Sequence, residues 1–134
     1  MAASPYDLLA AVDAIEAYFD SLLGHGLITA AMGGDHTVVL PILKAMAKRH
    51  GPVGLVHIDA HTDINDTMFG FKFAHGTPFR LAVEDGLLAG DRVVHIGVRG
   101  TGYAADDFDW LRQQRLRVVH AEDCPYLSLL PITD

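Results

Sequence analysis

Cysteine, positive charge and long apolar runs are all scarce in this sequence, and each scarcity excludes a class of protein. Cys124 is the one cysteine among 134 residues, so an internal disulfide framework is excluded and a reducing compartment is favoured. Lysine and arginine number 10 against 17 acidic residues, and the net charge of -7 argues against a nucleic-acid partner. No apolar run approaches the roughly 18 residues of a membrane span, and residues 1–20 lack the basic start of a secretory signal. We therefore expect a cytoplasmic protein without a membrane partner.

The apolar residues that are present follow two periodicities in turn. Helical spacing marks 5–23, where Ser4 and Pro5 suit the N-cap and the first helical position, and it returns in 36–50, 77–88 and 106–115. Short apolar runs typical of buried strands occupy 27–32, 53–58, 92–98 and 116–121. This alternation with short connections predicts a single α/β domain with a parallel sheet covered by helices on both faces.

An acidic motif follows directly on the predicted strand at 53–58. In "DAHTD", residues 59–63, the polar side chains Asp59, His61 and Asp63 occupy every second position, and in an extended segment they project to one side. Two crowded carboxylates repel each other unless a cation compensates. Imidazole and carboxylates without a thiolate favour manganese over a structural zinc ion. The alternative is an acidic strand end that caps a neighbouring helix, with His61 in solvent.

A second polar motif, "GGDH", follows the apolar run at 27–32. Its glycines let the backbone approach a bound group closely, Asp35 suits the N-cap of the following helix, and His36 is a further candidate ligand. By itself His36 could equally be a first-turn helix residue without a ligand. Because ligands in open parallel sheets bind beyond the carboxyl ends of the strands, two polar strand exits together favour a metal site.

The remaining histidines fall into two groups. His75 lies in a glycine-containing loop after the acidic motif, where an imidazole could transfer protons near neutral pH. Three others lie within apolar strands and are interpreted as buried, hydrogen-bonded core residues: His57, His95 and His120.

With "GGDH" at 33–36, "DAHTD" at 59–63 and "HGTP" at 75–78 in that order, the chain resembles the ureohydrolase family of arginases and agmatinases. Residues 64–88 and 97–110 are similar to its agmatinase and guanidinobutyrase branch. The resemblance implies a three-layer α/β/α domain that holds two Mn²⁺ ions and hydrolyses a small guanidinium substrate to urea and an amine. Intact relatives are expected to be homo-oligomers.

The resemblance also implies roles for individual residues, carried over by matching motif positions. His36, Asp59 and Asp63 would bind one Mn²⁺, His61 would bind the other, and Asp59 would bridge the two. His75 would match the family's proton-transferring loop histidine, and Asn65 a substrate-binding position. The stretch 63–79 leans toward guanidinobutyrate over agmatine as the substrate.

The sequence departs from the family pattern in one respect. A second acidic motif of the S-x-D-x-D-x-x-D-P type, which would supply the remaining ligands, does not occur among the 134 residues. We therefore expect a partial ureohydrolase domain over 1–134, incomplete at both ends, with impaired activity and with apolar surface that favours association. The alternative is a non-catalytic metal-binding or interaction remnant of such an enzyme. A deacetylase with a related sheet fits the pair of motifs less well.

Overall fold

A parallel three-stranded sheet with four α-helices makes up the described residues, 6–102 and 104–126, of this computed structural model. The elements follow in the order α1 (Leu8–Gly24), α2 (Val39–His50), β1 (Val53–Ile58), α3 (Pro78–Glu84), β2 (Leu88–Val98), α4 (Asp107–Gln113) and β3 (Arg117–His120). A 3₁₀ turn, His36–Val38, leads directly into α2. The strands lie in the order β1-β2-β3, so the predicted parallel α/β sheet is confirmed.

Most predicted elements form, with shifted ends. Helix α1 begins after Asp7, whose carboxylate accepts a hydrogen bond from the Ala10 N–H at 3.1 Å, while the predicted cap at Ser4 and Pro5 lies outside the described residues. Helix α3 is shorter than predicted because the chain turns at Gly86, where φ is +69°, a conformation that glycine adopts without strain. Leu88, predicted to end this helix, instead begins β2, which was predicted to begin at 92.

The prediction of a buried strand at 27–32 is wrong. These residues form neither helix nor strand, and Ile28 and Met32 are fully exposed. An apolar run becomes a strand only when a neighbour completes its hydrogen-bond ladder, and the hydrophobic pattern does not reveal that neighbour. Among the described residues β1 is an edge strand whose paired neighbour is β2, and 27–32 does not pair with it.

The main core lies on one face of the sheet, where α2, α3 and α4 pack together. Its buried members from helices and strands include Leu40, Leu43, Phe79, Ala82, Val93 and Leu111. On the opposite face Val94 and Val119 are buried with Cys124 beside them, but Val56 and Ile58 of β1 are exposed. The expected helical cover is therefore seen on one face within the described residues. None of the helices described there combines the length and apolarity that a bilayer crossing requires.

Candidate metal centre

Four side chains with metal-binding atoms converge where β1 ends. His36, His57, Asp59 and Asp63 each offer one such atom, and these atoms all lie within 4.8 Å of one another. The closest pair is His36 Nδ1 and Asp63 Oδ2, 2.7 Å apart, and His57 Nε2 lies 3.7 Å from Asp59 Oδ2. Three of the four candidate metal ligands named from the sequence are therefore brought together, and His57 joins them.

The backbone after β1 explains how Asp59 and Asp63 come together. The Asp59 N–H donates to the Ile96 carbonyl at 3.1 Å, so the pairing with β2 continues one residue beyond the strand. The chain then bends, and Asp63 adopts a left-handed conformation with φ of +50°. Aspartate is among the non-glycine residues that tolerate this region, and the resulting turn directs the Asp63 carboxylate back to His36.

His36 is positioned by the capping of the 3₁₀ turn. The Asp35 carboxylate accepts hydrogen bonds from the Thr37 N–H at 2.8 Å and from the Thr37 hydroxyl, which confirms Asp35 as the predicted N-cap. These hydrogen bonds from Thr37 lower the pKa of Asp35 despite burial, which raises it. The His36 ring packs edge-on against Phe79, with ring centroids 5.4 Å apart. His36 therefore has a fixed orientation toward the acidic motif.

His61 stands apart from this group. Its side chain is 66% exposed, and its Nδ1 lies 3.5 Å from Asp59 Oδ1. The strict alternation expected for 59–63 fails because the chain leaves the extended conformation at Asp59, so His61 faces a neighbouring cavity. Gly100 borders it closely: a Cβ at Gly100 would lie 2.5 Å from His61 Cδ2. The glycine after β2 thus leaves room for the imidazole.

The cavity beside the metal-binding group contains the other predicted site residues. It has a volume of about 360 Å³, and its lining includes His61, Asp63, Asn65, His75, Gly100 and Thr101. Asn65 closes the loop that carries His75: its backbone N–H and its side-chain Nδ2 both donate to the Gly76 carbonyl, at 3.0 and 2.9 Å. His75 and Asn65 therefore border the same space as the acidic motif, where their predicted roles can be tested.

The surroundings of Asp59 lower the pKa of its carboxyl group. Burial raises the pKa of Asp59, but the hydrogen bond from the His61 N–H at 2.8 Å and the nearby His57, His36 and His61 rings outweigh it, so the net pKa is lowered. The carboxylate is therefore ionised at neutral pH. Two carboxylates with the His36 imidazole form a mixed oxygen and nitrogen donor set of the kind that binds divalent metal ions.

The sequence interpretation missed His57. Its assignment as a buried, hydrogen-bonded residue is confirmed, as is that of His95, since His57 Nδ1 and His95 Nδ1 lie 2.8 Å apart. The same alternation that singled out Asp59 includes His57 two positions earlier, on the same side of the strand. That signal was sufficient to place it beside the acidic motif. The interpretation of His120 as buried is wrong, because it lies exposed at the end of edge strand β3.

A sequence model described as the arginase family matches residues 1–133. The chain belongs to the arginase family. It is 57% identical over 132 residues to a guanidinobutyrase of Pseudomonas aeruginosa, a match that covers 98% of this chain and 41% of the relative. It is 48% identical over 127 residues to the mitochondrial guanidino acid hydrolase of Homo sapiens, covering 95% of this chain and 36% of that protein.

The fold comparison leads to the same family. The proclavaminate amidinohydrolase of Streptomyces clavuligerus superposes with a TM-score of 0.82 at 35% identity, and the match covers 96% of this chain and 43% of that structure. The expected arginase-type α/β fold is thus confirmed. The chain spans about two fifths of the length of the relatives that it matches.

Proposed function

We propose that this chain carries a manganese-binding part of an amidinohydrolase that hydrolyses a linear guanidino acid of the guanidinobutyrate type to urea and an amine. The convergence of His36, Asp59 and Asp63 beside a cavity lined by His61 and His75 carries the proposal. The relative at 57% identity, a guanidinobutyrase, favours an acidic tail on the substrate over agmatine. The family and the parallel-sheet fold, described above, support the same class of reaction.

In this proposal the acidic motif binds the metal. His36, Asp59 and Asp63 would hold one ion, and His61, whose Nδ1 lies 3.5 Å from Asp59 Oδ1, would contribute to holding a second. When bound, Mn²⁺ supplies Lewis acidity, which activates water for attack on a guanidinium carbon. The nearly buried Asp63 and the half-buried His36 keep the binding atoms away from bulk solvent on the side of the helices.

The loop residues act on the substrate. Water adds to the guanidinium carbon, the bond from that carbon to the substituted nitrogen breaks, and urea and the amine leave. His75, in the cavity wall, donates a proton to the departing amine nitrogen. Asn65 holds the loop at Gly76 and leaves its Oδ1 as an acceptor for the guanidinium N–H groups.

Location, assembly and domain extent complete the proposal. The single cysteine suits a cytoplasmic location, and intact relatives are proposed to be homo-oligomers. Residues 1–134 are proposed to be part of one ureohydrolase domain, in keeping with the 41% of the guanidinobutyrase that they match.

Calorimetric titration of the chain with Mn²⁺ tests the metal centre. Asp63→Asn removes a carboxylate from the group, and we expect the affinity to fall by more than about 100-fold, beyond the loss typical of residues outside the ligand shell. Asp66→Asn is the matched control: this carboxylate lies three residues on, but pairs with Lys72 and Arg80 and is absent from the group. Equal affinities for the two variants would refute the centre.

Urea release tests the reaction. The chain loaded with Mn²⁺ is assayed with 4-guanidinobutyrate and with agmatine, and faster turnover of the acid is expected. His75→Ala should lower the rate and leave the Mn²⁺ affinity unchanged. Faster turnover of agmatine would refute the substrate assignment.

A second candidate is a metal-binding module without turnover. It is favoured by one observation, the match to only 41% of the guanidinobutyrase length. Tight Mn²⁺ binding without urea release from either substrate would select this candidate over the first.

A further inference from the structure

Two histidines are buried face to edge beneath the acidic motif. His57 on β1 and His95 on β2 are register partners, with 7% and 0% of their surfaces exposed. Their Nδ1 atoms are 2.8 Å apart, and the ring planes make an angle of 84°. Only one of the two Nδ1 atoms can carry the hydrogen, because a hydrogen bond between them needs one donor and one lone pair.

The surroundings offer few hydrogen-bond partners to the Nε2 atoms of the two rings. Phe79 packs against both rings, at centroid distances of 4.3 Å from His57 and 5.9 Å from His95. In the described part of the chain neither Nε2 has a hydrogen-bond partner within normal range. His57 Nε2 nonetheless lies 3.7 Å from Asp59 Oδ2, and His95 Nε2 is enclosed. The pair is therefore polar at one end only, the end at Asp59.

Two proton arrangements satisfy the central hydrogen bond. In the first, His95 donates from Nδ1, so His57 accepts there and carries its own hydrogen on Nε2, directed at Asp59. In the second, His57 donates from Nδ1, which aims its Nε2 lone pair at the Asp59 carboxylate and leaves an enclosed N–H on His95. Buried N–H groups without a partner are rarer than unpaired acceptors, and a lone pair facing a carboxylate is repelled.

We infer that His57 and His95 are positioning residues for Asp59: His95 fixes the tautomer of His57, and His57 directs its Nε2–H at the Asp59 carboxylate that binds the metal. This inference rests on the metal centre proposed above. His57 then presents its Nε2–H toward the Asp59 carboxylate across 3.7 Å and does not bind the ion through Nε2. Residues that hold a metal ligand in place without touching the metal typically change metal affinity by about 10–100-fold when they are substituted.

Burial favours the neutral form of the enclosed ring. It lowers the pKa of His95 to about 4, with the neighbouring His57 adding to the effect. The distance of 2.8 Å between the two Nδ1 atoms leaves room for one hydrogen between the rings, as the arrangement requires.

Nitrogen NMR of the metal-free chain reads the tautomers directly. Long-range ¹H–¹⁵N correlation spectra of chain labelled at histidine separate the two ring forms. The expected result is hydrogen on Nε2 of His57 and on Nδ1 of His95. Hydrogen on Nδ1 of His57 would overturn the inference. This measurement needs no bound metal, so it is independent of whether the proposed function holds.

Two substitutions of His57 separate positioning from ligation. His57→Gln can keep an N–H donor toward Asp59, whereas His57→Phe keeps the ring and removes the donor. We expect His57→Phe to weaken Mn²⁺ binding by about 10–100-fold and His57→Gln to recover most of that loss. Losses as large as that of Asp63→Asn in both variants would instead identify His57 as a ligand, and wild-type affinity in both would remove any role.

The two proposals fail in different ways. If the wild-type chain does not bind Mn²⁺, the metal centre fails while the tautomers can still be as inferred. If it binds Mn²⁺ and the tautomers are reversed, the metal centre stands and the positioning role is refuted. Should His57→Phe not fold, as judged by its amide spectrum, the tautomers of the wild-type chain still decide the inference.

Discussion

The two faces of β1 differ sharply, although alternate residues of one six-residue strand form them. On the inner face His57 is 7% exposed and packs against Phe79 and His95. On the outer face Val56 is 58% exposed and Ile58 76% exposed. Two of the four candidate metal-binding side chains, His36 and His57, pack against Phe79 on this inner face. The candidate site is thus supported by side chains of the neighbouring helices and strands on the inner face. No described element packs over Val56 and Ile58 on the outer face to contribute to it.

The sharpest test of this comparison is to remove an inner-face ring. Phe79 is 1% exposed and contacts His36, His57 and His95. We expect Phe79→Ala to lower the free energy of unfolding by about 3–5 kcal/mol, because it creates a cavity beneath the site. Denaturation by urea measures the change. Ile58→Ala on the outer face is the control, expected to cost about 0.5 kcal/mol or less, and equal losses would break the comparison.

Acid should destabilise the inner face selectively. The pKa of His95 is lowered from 6.5 to about 4 by burial, so the unfolded chain takes up a proton that the folded chain resists. The associated stability is complete above pH 6.5 and is lost as the pH falls toward 4, by about 3 kcal/mol.

Denaturation at several pH values, with a chelator present, measures this loss. His57 contributes in the same direction, because burial lowers its pKa too. Asp59, whose pKa lies below 3.8, acts only at lower pH. His95→Gln should flatten the curve between pH 6.5 and 4, and an unchanged slope in that variant would assign the acid sensitivity to other groups.

A smaller effect is expected where β2 leaves the sheet. Gly100→Ala places a Cβ 2.5 Å from His61 Cδ2, but that ring is 66% exposed and can move. We expect a loss of about 1 kcal/mol in unfolding free energy, with shifted ring resonances for His61 and unshifted ones for His57 and His95. Gly33→Ala, with nothing within 4 Å of its added Cβ, is the matched control. Shifts at all three histidines would mean that the cavity side and the inner face are one unit.

The smallest effect should come from the exposed apolar segment 27–32. Ile28→Ser combined with Met32→Gln changes two side chains that are fully exposed. We expect the free energy of unfolding to stay within about 0.5 kcal/mol of wild type, while sedimentation shows less self-association because an apolar patch is reduced. A loss above about 1 kcal/mol would show instead that these side chains are packed in solution.

Much of the fold, and the grouping of three of the four candidate ligands, could be predicted from the sequence. Helix α2 follows from its apolar spacing and the cap at Asp35, and β1 and β2 follow from their apolar runs. The convergence of His36 with Asp59 and Asp63 was predicted from two strand ends at one edge of the sheet, and it occurs by a different route: Asp59 follows β1, whereas His36 lies in the 3₁₀ turn before α2.

The remainder depends on contacts that a linear pattern does not contain. The run at 27–32 has the composition of a strand, yet pairing decides strand formation. His61 leaves the line of Asp59 and Asp63 because the backbone bends at Asp59, which the alternation rule does not foresee. His57 was interpreted as a core residue, although its position two residues before Asp59 on the same side of the strand was a signal for its place beside the acidic motif.

The closure of the loop between Asn65 and Gly76 has an evolutionary consequence. Asn65 binds the Gly76 carbonyl twice, so the loop begins and ends at one anchored point while Phe69 and Phe71 at its tip remain exposed. Insertions or exchanges at the tip leave the anchor, and with it the placement of Asp63 and His75, undisturbed. The loop tip can therefore change in length and composition while the residues that border the cavity keep their positions.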